Sequence, residues 1–193
     1  MTKYYTGVGS RETPLHVYEL MEDIAFKLEQ RGFVLRSGGA PGADQAFENG
    51  WWSSYIDNMK EVASAEIFLP WEGFEGKWSG AGDGAYRVVK DIDKAMDMAS
   101  KIHPAWDAVK KDGTPVLKRG AKGMHARNCF QVLGGDLETP SEFLICYAPP
   151  LPDGTVKGGT RTAWVLAKQN NIPCINLHNS AEFERWSEWV RKK

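Results

Sequence analysis

Short runs of β-branched and aromatic residues alternate along the chain with longer amphipathic segments, a pattern typical of parallel strands joined by crossover helices. The predicted strands cover residues 3–8, 33–36, 65–69, 143–147 and 174–177. Helices are predicted to begin at Pro14 and at Ala43 and to cover residues 85–100, 125–133, 160–169 and 181–190. This order predicts an α/β fold, a Rossmann-like open, mostly parallel sheet flanked by helices on both faces.

The first two predicted strands each end in a glycine-rich turn. In an open parallel sheet, ligands bind outside the carboxyl ends of the strands. Glycine lets backbone N–H groups approach a phosphate closely, and the start of the next helix adds a favourable partial charge. Each turn alone is explained equally well as a tight turn without a ligand. The candidate phosphate-binding residues here are Gly9, Ser10, Arg11, Ser37, Gly38, Gly39, Ala40, Gly42 and Asp44.

Two later segments carry further candidates for phosphate binding. One is a glycine-threonine turn before the helix at 160–169, where Thr160 binds an anion or only caps the helix. The other lies in the helix at 125–133, where the forked guanidinium of Arg127 either binds phosphate or is a solvated surface group. Arg127 and Gln131 are four residues apart and share a helical face. The candidates are Gly158, Gly159, Thr160, Arg161 and Thr162 in the turn, and Arg127 and Asn128 in the helix.

Composition narrows the class of protein. The chain has 193 residues, 42% of them hydrophobic and 25% charged, so we expect one globular domain over residues 1–193. Its net charge of -1 argues against a broadly basic nucleic-acid coat but allows a local basic groove. Cys129, Cys146 and Cys174 form neither a disulfide nor a zinc pattern, and no metal or cofactor is expected. No apolar run approaches the roughly 18 residues of a membrane span, so we expect a cytoplasmic protein without membrane contact.

Aromatic residues are concentrated where the pattern predicts loops. Loop insertions are expected near residues 51–84 and 104–123, and the glycine-rich stretch 71–84 reads as a long surface loop or lid. Five aromatic side chains in or beside these predicted loops could stack on bases. Alternatively they pack in the core, or form a homodimer contact. The residues concerned are Trp51, Trp52, Trp71, Phe74 and Trp78.

Four segments in order resemble the Rossmann-like domain of DNA-processing protein A (DprA/Smf), within the SLOG superfamily that also includes the lonely-guy nucleotide hydrolases. They are Gly-Val-Gly-Ser-Arg at 7–11, Ser-Gly-Gly-Ala-Pro-Gly-Ala-Asp at 37–44, Arg-Asn at 127–128 and Gly-Gly-Thr-Arg-Thr-Ala at 158–163. The resemblance covers residues 3–178 and implies that a nucleotide or single-stranded DNA binds at the shared strand ends. Basic residues beside these segments are then expected to line one electropositive pocket. They are Arg11, Arg36, Arg127, Lys157 and Arg161.

The resemblance leaves three activities open. The first is non-catalytic binding of nucleotide or single-stranded DNA, in DNA processing or nucleotide sensing. The second is a nucleotide N-glycosidase that releases a free base, with Asp44 or Glu48 as the candidate carboxylate. The third is a protein that sequesters a signalling nucleotide. The glycosidases are expected to carry a glutamate shortly after the glycine-threonine turn, whereas here the chain continues through residues 161–164 without an acidic side chain, which favours the first activity.

Overall fold

The fold is described from a computed structural model for residues 2–58, 64–90 and 92–192. The strands are β1 (Lys3–Gly9), β2 (Phe33–Ser37), β3 (Ala65–Leu69), β4 (Tyr86–Val88), β5 (Phe143–Tyr147) and β6 (Cys174–Asn176). The helices are α1 (Leu15–Gln30), α2 (Ala43–Asp57), α3 (Ile92–Ile102), α4 (Arg119–Leu133), α5 (Thr160–Gln169) and α6 (Ser180–Arg191). The predicted Rossmann-like α/β class is confirmed.

The six strands form one parallel sheet in the order β4-β3-β2-β1-β5-β6. The chain builds outward from β1 to β4, returns across the sheet, and adds β5 and β6 on the other side of β1. At the carboxyl edge, Gly9 of β1 is paired with Tyr147 of β5. This edge is therefore a topological switch point, the place where open α/β sheets bind ligands.

Helices cover both faces of the sheet, and each face has its own apolar core. Helices α1, α2 and α6 pack on one face, where Phe47 and Trp51 are among the largest buried side chains. Helices α3, α4 and α5 pack on the other face around Phe130. In α1 the apolar face repeats at three- and four-residue spacing through Met21 and Ile24, and the chain leaves the helix through Gly32, whose φ of 76° suits glycine.

The predicted helix at 85–100 is wrong in its first part. Tyr86–Val88 is the edge strand β4, which pairs with β3, and the helix begins only at Ile92. The aromatic and β-branched residues of this stretch favour a strand once a neighbouring strand is available. Helix α4 begins at Arg119, earlier than the predicted start at residue 125. Its first turns carry glycine and charged residues, so no apolar stripe in the sequence marks them as helical.

The placement of two tryptophans in a loop is also wrong. Trp51 and Trp52 belong to α2, and Trp51 is 1% exposed and donates its Nε1 proton to Ser64 Oγ at 3.1 Å. The stretch around Trp71 and Trp78 does form turns in which both indoles are exposed, whereas Phe74 is buried and packs edge-on against Trp71.

The cysteines Cys129, Cys146 and Cys174 are free thiols. In the part of the chain that the structure describes, no helix combines the length and the apolar character needed to cross a bilayer.

Candidate anion-binding site

A cleft of about 400 Å³ lies at the switch point, a volume within the range of small-molecule sites. Its walls are the turn after β1, the loop after β2, one side of α4 and the segment leading into α5. The sequence-predicted residues that line it are Gly9, Ser10, Arg11, Ala40, Asp44, Arg127, Asn128, Gly158, Gly159 and Thr160. The lining also includes Val8, Glu12, Met124, His125, Gln131, Lys157 and Ala163.

The turn after β1 is held by backbone hydrogen bonds. Ser10 N–H donates to the Tyr147 carbonyl at 2.8 Å, and the Ser10 carbonyl accepts from Ala43 N–H at 3.1 Å. A Cβ on Gly9 would lie 2.7 Å from both the Ala43 Cβ and the Tyr147 carbonyl oxygen, so only glycine fits there. The turn therefore joins β1 to β5 and to the start of α2, and its geometry is set before any ligand arrives.

The loop after β2 contributes Ala40 to the cleft, and the first turn of α2 contributes Asp44. Ser37 Oγ donates to the Gly7 carbonyl at 2.8 Å, and Gly38 lies directly beneath the Arg127 guanidinium, where any side chain would collide with it. Gly39, at φ 71°, faces Leu69 and Lys77.

Gly42 precedes α2 as its N-cap, at φ 81°. A Cβ there would press on the backbone of Ser10 and Arg11. Gly38, Gly39 and Gly42 thus do not line the cleft, but they let the loop after β2 pack closely against neighbouring residues.

Arg127 and Asp44 form a buried ion pair in the cleft wall, with Nη1 3.3 Å from Oδ2 and each side chain less than a tenth exposed. Burial raises the pKa of the Asp44 carboxyl, and the neighbouring Arg127 opposes that shift. Burial lowers the pKa of the Arg127 guanidinium, while Asp44 acts in the opposite sense. Arg127 is therefore a buried cleft residue, and the alternative of a solvated helix arginine is wrong.

Glu48 lies on α2 outside the cleft lining, in a second polar cluster. Its Oε2 accepts from Lys77 Nζ at 2.8 Å and from the Tyr86 hydroxyl at 3.0 Å. Lys77 also donates to the Gly39 carbonyl at 2.8 Å and to Gln45 Oε1 at 3.0 Å. Burial raises the pKa of the Glu48 carboxyl, and Lys77 opposes that shift. Lys77 thus fastens the 71–84 stretch to the loop after β2.

The start of α5 forms the opposite wall. Gly159 is the N-cap residue and Thr160 is the first helical residue, so Thr160 does not cap the helix. Asn128 Nδ2 donates to the Gly159 carbonyl at 2.8 Å. Arg161 is turned away from the cleft lining and pairs with Asp153 at 3.1 Å. The start of α5 therefore borders the cleft through Gly158, Gly159 and Thr160, and the partial positive charge of a helix start attracts anions.

His125 lines the cleft, and its ring is held in place by contacts with Thr162 and His103. Its Nδ1 lies 2.8 Å from Thr162 Oγ1, and the His103 ring packs edge-on at a centroid distance of 4.4 Å. Burial, with the charges of His103 and Arg127, lowers the pKa of His125 to about 4. Thr162 therefore acts on the cleft through His125, and the imidazole is neutral at neutral pH.

The expected cations divide into two groups. Arg11 and Lys157 are exposed and line the cleft, and Arg11 pairs with Glu75 of the 71–84 stretch at 3.3 Å. Arg36 does not line the cleft, contrary to expectation. Its guanidinium lies 3.7 Å from the Tyr4 ring centroid and donates to Glu66 at 2.8 Å.

Two residues that contact the predicted site were not expected from the sequence. Lys77 contacts Gly39 and Glu48, and Glu75 pairs with Arg11. Both lie in a loop without periodicity, and no local signal in the sequence indicates which loop residues reach the sheet edge. Among the described residues, no group of three or more histidine, cysteine, aspartate or glutamate side chains is placed to hold a metal ion.

No protein-family model and no curated protein sequence matches this chain. Among solved structures it is similar to DNA processing protein A from Helicobacter pylori, in a structure described for its unique single-stranded DNA binding mode. The TM-score is 0.52 and the sequence identity 17%, over 91% of this chain and 64% of that one. The chain thus spans less than two thirds of that protein, and the likeness shows a shared fold.

Proposed function

We propose that the cleft binds the phosphate groups of a nucleotide or of single-stranded DNA, in DNA processing or nucleotide sensing. The observation that carries the proposal is that three elements suited to binding an anion line the same cleft. These are the Ser10 turn, the Arg127 guanidinium and the first turn of α5 at Thr160. A helix start supplies N–H donors and a guanidinium supplies a fork, and both are suited to phosphate oxygens.

The balance of charge supports a ligand with few phosphates in the cleft. Arg11, Arg127 and Lys157 line it together with the acidic Glu12 and Asp44. Arg127 is paired with Asp44 and Arg11 with Glu75, so Lys157 adds most of the unpaired positive charge among these lining residues. A long polyanion is held by many cations at once and shows a steep salt dependence. We expect a shallow one here.

The shared fold supports single-stranded DNA as one of the two ligand classes, because the Helicobacter pylori protein is described by its single-stranded DNA binding mode. The volume of the cleft supports a single nucleotide as the other class. Both ligands present a phosphate and a base, so one cleft serves either.

Hydrolysis of the N-glycosidic bond is the second candidate, favoured by Asp44. This carboxyl lies in the cleft wall and has a raised pKa, properties that suit a group which exchanges a proton. A two-carboxylate mechanism needs a partner, and Glu48 is held by Lys77 and Tyr86 away from the cleft lining. Non-catalytic binding is therefore the function that the geometry supports better.

The proposal is tested by calorimetric titration of the protein with nucleoside 5′-monophosphates and with short oligothymidylate at several salt concentrations. We expect binding of at least one probe. Chromatography of each mixture then detects released base, whose appearance would replace the binding proposal with the glycosidase. Absence of binding by every probe up to millimolar concentration would overturn both.

A pair of lysine variants ties binding to the cleft. Lys157→Ala should weaken binding about fivefold and reduce the salt slope by about one, because one phosphate contact is lost. Lys101→Ala is the matched control, since Lys101 lies on α3 outside the cleft lining and pairs with Asp97. Equal effects of the two substitutions would place the bound anion elsewhere.

A further inference from the structure

Gln131 lies in the cleft wall with an unpaired amide. Its side chain is 1% exposed, and neither Nε2 nor Oε1 has a hydrogen-bond partner among the described residues. Its backbone carbonyl is satisfied, since it accepts from Thr6 Oγ1 at 2.7 Å. Buried polar groups are nearly always paired in folded proteins, and leaving them unpaired is costly. We therefore expect the amide to meet a partner when the cleft is filled.

Arg127 lies one helical turn before Gln131 and has a similar unpaired group. Its Nε is buried without a partner among the described residues, while its Nη1 contacts Asp44. Both side chains pack against Gly38, where a Cβ would collide with each of them. Packing against Gly38 therefore keeps the two side chains together in the cleft wall, where Gln131 offers a donor and an acceptor and Arg127 Nε offers a second donor.

The chemistry of this group differs from that of the cleft rim. A phosphate offers only acceptor oxygens, so it could pair with Gln131 Nε2 but would leave Oε1 buried and unpaired. A nucleobase edge places a donor beside an acceptor, and a glutamine amide pairs with such an edge through both of its polar atoms. The Gln131 amide is thus better matched to a base than to a phosphate.

We infer that the cleft takes a 5′-phosphorylated nucleoside whose base is directed toward Gln131, so that the amide reads the hydrogen-bonding edge of the base. The phosphate then lies at the rim, beside Lys157 and the first turn of α5. This inference rests on the proposed function, because it assigns the ligand of the same cleft. A free nucleotide and the 5′-terminal nucleotide of a strand share this chemistry.

The test compares nucleoside 5′-monophosphates with ribose 5-phosphate, which has the same sugar and phosphate but no base. Calorimetry on the unmodified protein should show at least one nucleotide binding about tenfold or more tightly than ribose 5-phosphate. Gln131→Leu should reduce that advantage by about 5- to 150-fold, the range expected for a bidentate base contact, up to its complete loss. Ribose 5-phosphate should bind this variant as it binds the unmodified protein.

Two controls separate base recognition from other effects. Gln169→Leu makes the same substitution at an exposed position near the end of α5 and should change neither affinity. Lys157→Ala should weaken nucleotide and ribose 5-phosphate by the same factor. Oligothymidylate with and without a 5′-phosphate then shows whether the nucleotide is free or terminal in a strand, since only a terminal nucleotide makes the phosphorylated strand bind better.

Two outcomes would overturn the inference while the proposed function stands: equal binding of ribose 5-phosphate and every nucleotide, or equal losses for both in Gln131→Leu. Failure of ribose 5-phosphate, nucleotides and oligothymidylate alike to bind the unmodified protein would overturn the proposed function itself. If Gln131→Leu does not fold, the side-chain amide resonances of Gln131 in the unmodified protein give the answer. They should shift on addition of nucleotide and stay in place with ribose 5-phosphate, and the absence of that shift would overturn the inference.

Discussion

Asn128 Nδ2 donates a hydrogen bond of 2.8 Å to the carbonyl oxygen of Gly159, which joins the middle of α4 to the residue that precedes α5. The two residues are 31 positions apart in the chain. Both belong to the cleft lining, on the face of the sheet where α4 and α5 pack together. The bond therefore holds the start of α5 in its place beside the cleft.

Removing this bond should weaken both ligand binding and the fold. Asn128→Ala should lower nucleotide affinity about five- to tenfold and the free energy of unfolding by about 1 kcal/mol, the usual value of one hydrogen bond. Asn170→Ala is the matched control, because its Nδ2 donates to the Leu166 carbonyl at 2.8 Å at the other end of α5. Calorimetry and urea denaturation give the two quantities. A similar affinity loss in Asn170→Ala would contradict the role assigned to Asn128.

Substitution of Lys77 should lower the free energy of unfolding more than substitution of an exposed lysine. Lys77→Met leaves the 2% exposed side chain of Glu48 as a buried carboxylate without its cation, so we expect unfolding to become easier by about 3–5 kcal/mol. Adding Glu48→Gln should recover part of that loss. Lys94→Met removes an ion pair whose side chains are 54% and 74% exposed, and it should change stability by less than about 1 kcal/mol. Comparable losses for the two lysines, measured by denaturation, would contradict the buried cluster.

Glu75 is expected to compete with a phosphate for Arg11. Glu75→Gln removes the negative charge 3.3 Å from the guanidinium and should raise nucleotide affinity up to about fivefold at low salt, with little effect at high salt. Glu72→Gln serves as the control on the same loop, since Glu72 accepts hydrogen bonds from Ser79 instead. A decrease in affinity for Glu75→Gln would show that Arg11 does not face the ligand.

The buried imidazole of His125 should make stability depend on pH. Its pKa in the folded chain is about 4, below the ordinary 6.5, because burial and the neighbouring His103 and Arg127 disfavour the charged form. The unfolded chain therefore binds the proton more readily, and the free energy of unfolding should fall as the pH drops from 6.5 toward 4.

His125→Phe keeps an aromatic ring in the same place and should flatten that decrease. The raised pKa values of Asp44 and Glu48 act with the opposite sign, so the difference between variant and unmodified protein isolates the imidazole. Chemical denaturation at a series of pH values measures the slope, and an NMR titration of the ring protons gives the midpoint directly. A midpoint near 6.5 would contradict the burial of His125.

The strand, turn and helix units that frame the cleft could be predicted because their signals are local. The glycine turn at Gly9 and the segment that ends at Asp44 each follow an apolar strand within a few residues, and parallel strands bring such ends to one edge. The turn before α5 follows the same local logic, whereas Arg127 lies inside α4 and was singled out by the resemblance of its Arg-Asn pair to a family motif. The switch point itself depends on the pairing of β1 with β5, which joins residues as distant in the chain as Tyr5 and Phe143.

Other features were predicted wrongly or not at all, for identifiable physical reasons. Arg36 lies within β2, where its side chain pairs with Glu66 of β3 and packs on Tyr4 of β1 instead of reaching the cleft. Helix 85–100 was predicted from spacing alone, whereas pairing with β3 decides the structure at Tyr86. The unpaired amide of Gln131 has no counterpart in the sequence, because being unpaired is a property of the surrounding packing.

Because β1 pairs with β5, the cleft can form only late in folding. Tyr5 is paired with Phe143, and the Thr6 hydroxyl reaches the Gln131 carbonyl across 125 residues. During synthesis, β1, β2 and β3 can meet soon after they are made, but the cleft waits for α4, β5 and the start of α5. Parallel pairing at such separation is slow to form. A ligand of this cleft should therefore slow unfolding without speeding folding, because it can bind only after the distant halves of the chain have met.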